Sequence, residues 1–204
     1  DLLQEALRDS VRKSFNRISV DGDTSTNDMV AILANGLAKN IAIDKDTPYY
    51  QIFKCALDFI CIEMAKLVAK DGEGATKLLE CYVDGAKTQE QALNIAKTIV
   101  SSTLVKTAMF GSDANWGRVL CSIGYSGEDV DISKIDIIFE SMKGYVQVCS
   151  NGNAVDFDEE FAKSILENDE ISIIINLKIG SSAANAWGCD LTYDYVRISG
   201  NYRN

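Results

Sequence analysis

The amino-acid sequence predicts an α/β fold of the layered α+β kind. Three observations carry this expectation. Segments of helical period alternate with short β-branched runs along the whole chain. A long apolar stretch, "ISIIINLKI" at 171–179, has the length and branching of a buried strand and is too short to span a bilayer. The chain has 204 residues, 47% of them apolar and 25% charged, which is globular composition with enough length for a sizeable core.

Each element follows from local pattern. Leu2, Leu3, Ala6, Leu7, Val11, Phe15 and Ile18 recur at helical spacing, so a first helix is expected to about Arg17, with "ISV" extended after it. The polar octet "DGDTSTND" (21–28) comes next. A second helix is expected from about Asn27, with Met29, Val30, Ile32, Leu33 and Leu37 on one face. Residues 40–48 hold the only proline and read as a loop. A long helix at about 49–69 carries Ile52, Phe53, Ala56, Phe59, Ile60, Met64 and Leu67, and "DGEG" (71–74) stops it, with Gly72 as its C-terminal glycine. A strand is expected at about 76–84. "TQEQ" (88–91) is a capping box that opens a helix to about residue 103, with Thr88 as cap. "GSDANWGR" (111–118) leads into a short helix. Strands at about 134–140 and 144–149, a helix at about 158–167, and strands at about 170–179 and 182–198 complete the chain. A weak domain boundary near 85–88 divides residues 1–86 from 87–204.

Charge and composition remove several function classes. The net charge is −10 and the pI about 4.5, with Lys and Arg scattered, so no cationic patch serves a nucleic-acid or anionic-membrane partner. No histidine occurs, which excludes most zinc sites and the usual Ser/Cys–His catalysis within this chain. Cys55, Cys61, Cys81, Cys121, Cys149 and Cys189 form no CxxC pair and sit in apolar patterns, so reduced, buried thiols in a reducing compartment are expected. There is no signal peptide and no initiator methionine, and the chain reads as a piece of a longer one.

Three segments carry possible chemistry. The octet fails as an EF-hand, because Asp21, Asp23 and Ser25 have the early spacing but the later glycine and glutamate are missing. It reads either as a turn with Ser25 or Thr26 capping a helix and Asp28 favouring its dipole, or as an acidic wall beside a site. In "DGEG", Glu73 stands between two residues without side chains. It is either part of a helix stop or a carboxylate presented to a pocket. "DANWGR" reads as a loop anchored by Trp116 with Arg118 paired to a carboxylate, or as a functional cluster.

Four segments in sequence order, "FNRISVDGDTSTNDMVAILANG" (15–36), "KDGEGATK" (70–77), "VKTAMFGSDANWGRVL" (105–120) and "WGCDLTYDYVRI" (187–198), resemble the β chain of the glutamate N-acetyltransferase/ornithine acetyltransferase family of arginine biosynthesis. The resemblance covers nearly the whole chain. It implies a self-cleaving architecture of the N-terminal-nucleophile type, shared with an α chain from the same precursor and completed by a smaller C-terminal α/β domain whose tail returns to the site. It implies a heterotetramer, acetyl transfer from N-acetylornithine to glutamate through an acetyl-threonine, no cofactor, no metal, and a cytoplasmic location, or the mitochondrial matrix in a fungus. The threonine's own α-amino group would serve as base, which explains chemistry without histidine. That threonine lies upstream of Asp1, so the nucleophile is assigned to no residue here. Glu73 matches the family's substrate-binding glutamate. In the tail "ISGNYRN", Ser199 stands at a substrate-contacting asparagine position and Asn204 at a threonine position, while Ala114 replaces the proline of "DPNWGR". The octet is read as wall rather than metal loop. Acetyl-CoA as a second donor, a self-processing amidase or aminopeptidase of the same architecture, and a non-catalytic subunit remain the alternatives.

Overall fold

The computed structural model describes residues 2–201. In chain order the elements are α1 (Leu2–Lys13), β1 (Ile18–Ser19), α2 (Pro48–Lys70), β2 (Leu78–Ala86), α3 (Gln89–Ser101), α4 (Thr103–Phe110), α5 (Trp116–Tyr125), β3 (Asp136–Ser141), β4 (Gly144–Ser150), β5 (Asn153–Ala154), α6 (Glu159–Leu166), β6 (Glu170–Asn176), β7 (Ser182–Cys189) and α7 (Tyr193–Ser199). The strands form one mixed sheet in the order β1-β7-β2-β6-β3-β4-β5. β2 pairs parallel with β6 and antiparallel with β7, so strands from both sides of residue 86 share one ladder.

Period-two alternation sets the two faces. Leu79, Cys81 and Val83 of β2, Ile171, Ile173 and Ile175 of β6, and Ile137 and Phe139 of β3 are buried. They meet Ile95 and Ile99 of α3, Met109 of α4, Ile123 of α5 and Ile165 of α6 in one large core. On the opposite face a smaller cluster joins Ala69 of α2 to Leu78 and Trp187, with Ile18 and Ile62 at its edge. α1 packs on α2 and is tied to it by Ser10 and Lys13, both bonded to Asp58 at 2.6 Å, and by Lys54 on Asp9.

The layered α/β architecture is as expected; several elements are not. α1 stops at Lys13, where Ser14 turns its hydroxyl onto the carbonyl of Ser10, and a 3-10 turn covers Phe15–Arg17. The helix expected from Asn27 does not form. Residues 20–47 contain neither helix nor strand, and Met29, Leu33 and Ile41 are 83%, 95% and 81% exposed. An apolar helical stripe holds its shape by packing, and nothing in the described residues covers this one. Ser25 accordingly caps no helix; its hydroxyl accepts from Asn27 N–H, and Asp21 accepts from Asp23 N–H, as local turns. Thr88 caps α3 as expected, accepting from Gln91 N–H, while the Gln91 side chain accepts from Lys87 N–H. α4, unforeseen, starts at the cap Ser102. The strand expected over 182–198 ends at Cys189, because Thr192 caps α7 by accepting from the N–H groups of Asp194 and Tyr195. All six cysteines are free, but Cys55 and Cys121 are exposed, on the outward faces of α2 and α5.

Candidate active site

The "DGEG" segment lies between α2 and β2, at the end of the sheet where β7 finishes. Antiparallel pairing places Leu78 opposite Cys189, so the turn after β7 meets the residues before β2. That turn is held by a buried carboxylate. Asp190 accepts from the N–H of Thr76 at 2.8 Å, the N–H of Lys77 at 2.9 Å and the Thr76 hydroxyl. Thr192 donates its hydroxyl to the Gly74 carbonyl at 2.7 Å.

Gly74, not Gly72, is the left-handed residue, with φ of +68°. A Cβ there would stand 2.7 Å from the N of Tyr195 and 2.8 Å from Asp194, so α7 rests directly on the loop. Gly72 is required for closeness instead: a Cβ would meet Val20 at 2.9 Å and the Cys189 thiol at 3.0 Å. Two predictions separate these demands. Gly74→Ala combines a disfavoured φ with a backbone clash and is expected to cost about 2 kcal/mol or more. That corresponds to roughly 4–8 °C in Tm for a chain of this size. Gly22→Ala, with φ of +96° and nothing within 4 Å, is expected to cost only the backbone part. Thermal melts of the two variants check the difference.

Around this loop the charges are unequal. Lys106, buried on α4, donates to the carbonyl of Cys189 and has its Nζ 3.5 Å from the thiol. Burial pushes the Cys189 thiol up; Lys106 opposes this, and the negative charges of Asp190 and Glu73 add to it. Tyr195 donates to Asp21 at 3.2 Å, which brings the start of the octet to the C-terminal helix. Its phenol is raised by burial and then by Asp21 and Asp23, with a bond to Ser199 acting the other way. Glu73 itself is exposed, and among the described residues it has no cation and no hydrogen-bond partner. The arrangement is a free carboxylate on a clamped backbone flanked by acidic groups, with two buried ammonium groups behind it, Lys106 on the Cys189 carbonyl and Lys77 on the carbonyls of Met109 and Leu166, so the exposed charge at the loop suits a cationic ligand.

The model of the ArgJ family matches residues 1–204. This chain belongs to the ArgJ family. It is 52% identical over 204 residues to the arginine biosynthesis bifunctional protein ArgJ 1 of Clostridium acetobutylicum, and 48% identical over 201 residues to the ArgJ protein of Bacillus subtilis. The chain spans about half the length of these relatives, 50% and 48%. A crystal structure of the arginine biosynthesis bifunctional protein ArgJ from Bacillus halodurans shares its fold, with a TM-score of 0.92 and 49% identity over 98% of this chain and 92% of that one.

Of the residues singled out from the sequence, Glu73 stands on the clamped loop and Ser199 at the exposed end of α7, linked through Tyr195 to Asp21. Asn204 lies outside the described residues. Arg118 pairs with no carboxylate among the described residues; its guanidinium donates to the Leu104 carbonyl and the Thr107 hydroxyl. Asp190, Lys106, Thr192 and Tyr195 were not foreseen from single positions. "WGCDLTYDY" carried the one usable sign, an acid and a capping threonine directly after a strand. No helix of the described residues is long and apolar enough to cross a membrane.

Proposed function

We propose that this chain is the β-chain half of an acetyltransferase that moves an acetyl group from N-acetylornithine to glutamate. The observation that carries the reading is Glu73. An ArgJ-family chain holds a carboxylate unpaired among the described residues on a loop fixed by Asp190 and Thr192, and an alkylammonium is its natural complement. The relatives' names, arginine biosynthesis bifunctional protein, support the same pathway.

In this proposal the nucleophile is a threonine that precedes Asp1 in the precursor, freed by self-cleavage and activated by its own α-amino group. Its hydroxyl attacks the acetyl carbonyl of N-acetylornithine; ornithine leaves, and glutamate's amine then takes the acetyl group. Each half-reaction passes through a tetrahedral oxyanion whose donors the α chain supplies. Glu73 holds the ornithine side-chain ammonium, and Ser199 and Asn204 contribute hydrogen bonds from the tail. The exposed apolar residues of 29–41 and those of α2, Ile52, Phe59 and Met64 among them, are the surface that the α chain covers.

The test is the full-length protein incubated with N-acetylornithine labelled in the acetyl group, without glutamate. A labelled acetyl group on the new N-terminal threonine, discharged to N-acetylglutamate when glutamate is added, is the expected result. Hydrolysis to acetate alone points to the amidase alternative. Glutamate acetylation by acetyl-CoA in a parallel assay decides whether that second donor serves.

A further inference from the structure

Away from the Glu73 loop, a pocket of about 510 Å³ opens between the C-terminal half of α3, the first turn of α4 and α5. Its electrostatics are unusual for a chain of net charge −10, because no Asp or Glu lines it. Two cations do, Lys97 and Arg118. Several exposed cations elsewhere do meet carboxylates: Lys13 meets Asp58, Lys45 meets Glu5, Lys70 meets Glu170, and Lys178 meets Asp136. Among the described residues neither Lys97 nor Arg118 has such a partner.

Arg118 is held rather than free. One guanidinium nitrogen donates to the Leu104 carbonyl at 3.0 Å and to the Thr107 hydroxyl at 3.2 Å. The remaining donors of its planar fork are uncommitted among the described residues. Ser101, Ser102 and Thr103 add three hydroxyls to the wall. That of Ser102 accepts from Val105 N–H and keeps its own proton to give. Those of Ser101 and Thr103 have no partner among the described residues. The first turn of α4 contributes positive potential from the same side. Leu104 and the strongly exposed Tyr125 form an apolar and aromatic rim.

We propose that this pocket binds a phosphate monoester. The phosphate sits between Lys97 and Arg118 and accepts from the three hydroxyls, and the organic part lies against Leu104 and Tyr125. A phosphate monoester carries close to two negative charges and three acceptor oxygens, which two cations and three hydroxyls match. A monocarboxylate brings one charge and two oxygens and leaves donors unfilled.

The experiment is isothermal titration of the full-length protein with AMP, inorganic phosphate, adenosine and acetate. AMP and inorganic phosphate are expected to bind, AMP more tightly, while adenosine and acetate give no heat. Lys97→Gln removes one charge-assisted contact and is expected to weaken AMP about ten-fold. Arg118→Gln is expected to weaken it at least as much. Because Arg118 also ties α4 to α5, the exposed Lys97 variant decides if the other fails to fold. Unchanged AMP affinity in Lys97→Gln, equal binding of adenosine and AMP, or no phosphate binding at millimolar concentration would each overturn the proposal.

Discussion

Glu73→Gln in the full-length protein is expected to lower kcat/KM for N-acetylornithine by roughly ten- to a hundred-fold while leaving precursor cleavage intact. The substitution keeps size and most acceptor geometry and removes only the charge. Loss of one charge-assisted contact typically costs about 1.5–3 kcal/mol, which is that range in apparent affinity. On the proposed mechanism self-cleavage depends on the threonine and its oxyanion donors, so two processed chains are expected on a gel. An exposed turn residue with no binding role shifts stability by about half a kcal/mol or less and leaves kinetics alone. Wild-type kinetics with normal processing would therefore remove Glu73 from the site.

Asp190→Ala is expected to be strongly destabilising at this end of the sheet. It strands two backbone N–H groups, of Thr76 and Lys77, and one hydroxyl, in a place where Asp190 itself is only 3% exposed. A buried donor left without an acceptor costs about 1–3 kcal/mol. Lys77 is buried and Thr76 exposed, so the loss rests mainly on the Lys77 N–H and is about 1–3 kcal/mol, against a total stability of about 5–15 kcal/mol. The urea midpoint of the full-length protein is the measurement. Asp190→Asn keeps one acceptor oxygen and is expected to fall between alanine and wild type. An Asp190→Ala midpoint equal to wild type would show that the β7–α7 turn is held by something else, and the fixed geometry of Glu73 would lose its explanation.

The sequence exposed what depends on neighbours in the chain and hid what depends on distant ones. α2 and α3 were legible because apolar period and caps are local: the period of Ile52 to Leu67 marks one, although Pro48, read as loop, is its first residue, and Thr88 with Gln91 opens the other. β6 was legible from its isoleucines. The stretch 27–39 misled because its apolar residues are spaced as if for a helix, while no contact among the described residues covers them. β7 was extended too far because "YDYVRI" alternates well enough for a strand; Thr192 ends it with two short-range bonds that composition does not weigh. At the site, Glu73 stood out by its two glycines. Asp190 acts on residues more than a hundred positions earlier, and the burial of Lys106 against Cys189 comes from the sheet order. Neither leaves a mark on its own neighbours.

The sheet order also fixes when the molecule can come together as it is made. Among the described residues β1 pairs only with β7, and the neighbours of β2 are β6 and β7. A ribosome that has delivered everything up to α6 has produced the β3–β4–β5 ladder but not β6 or β7, the strands that flank β2 among the described residues. Strand β2 must therefore wait, open on both edges, until β6 and β7 arrive and slot in on either side of it. Parallel pairing across that sequence distance is slow and leaves exposed edges in the meantime. Nascent chains halted before β6 therefore expose both edges of β2, and the arrival of β6 and β7 is the event that pairs them.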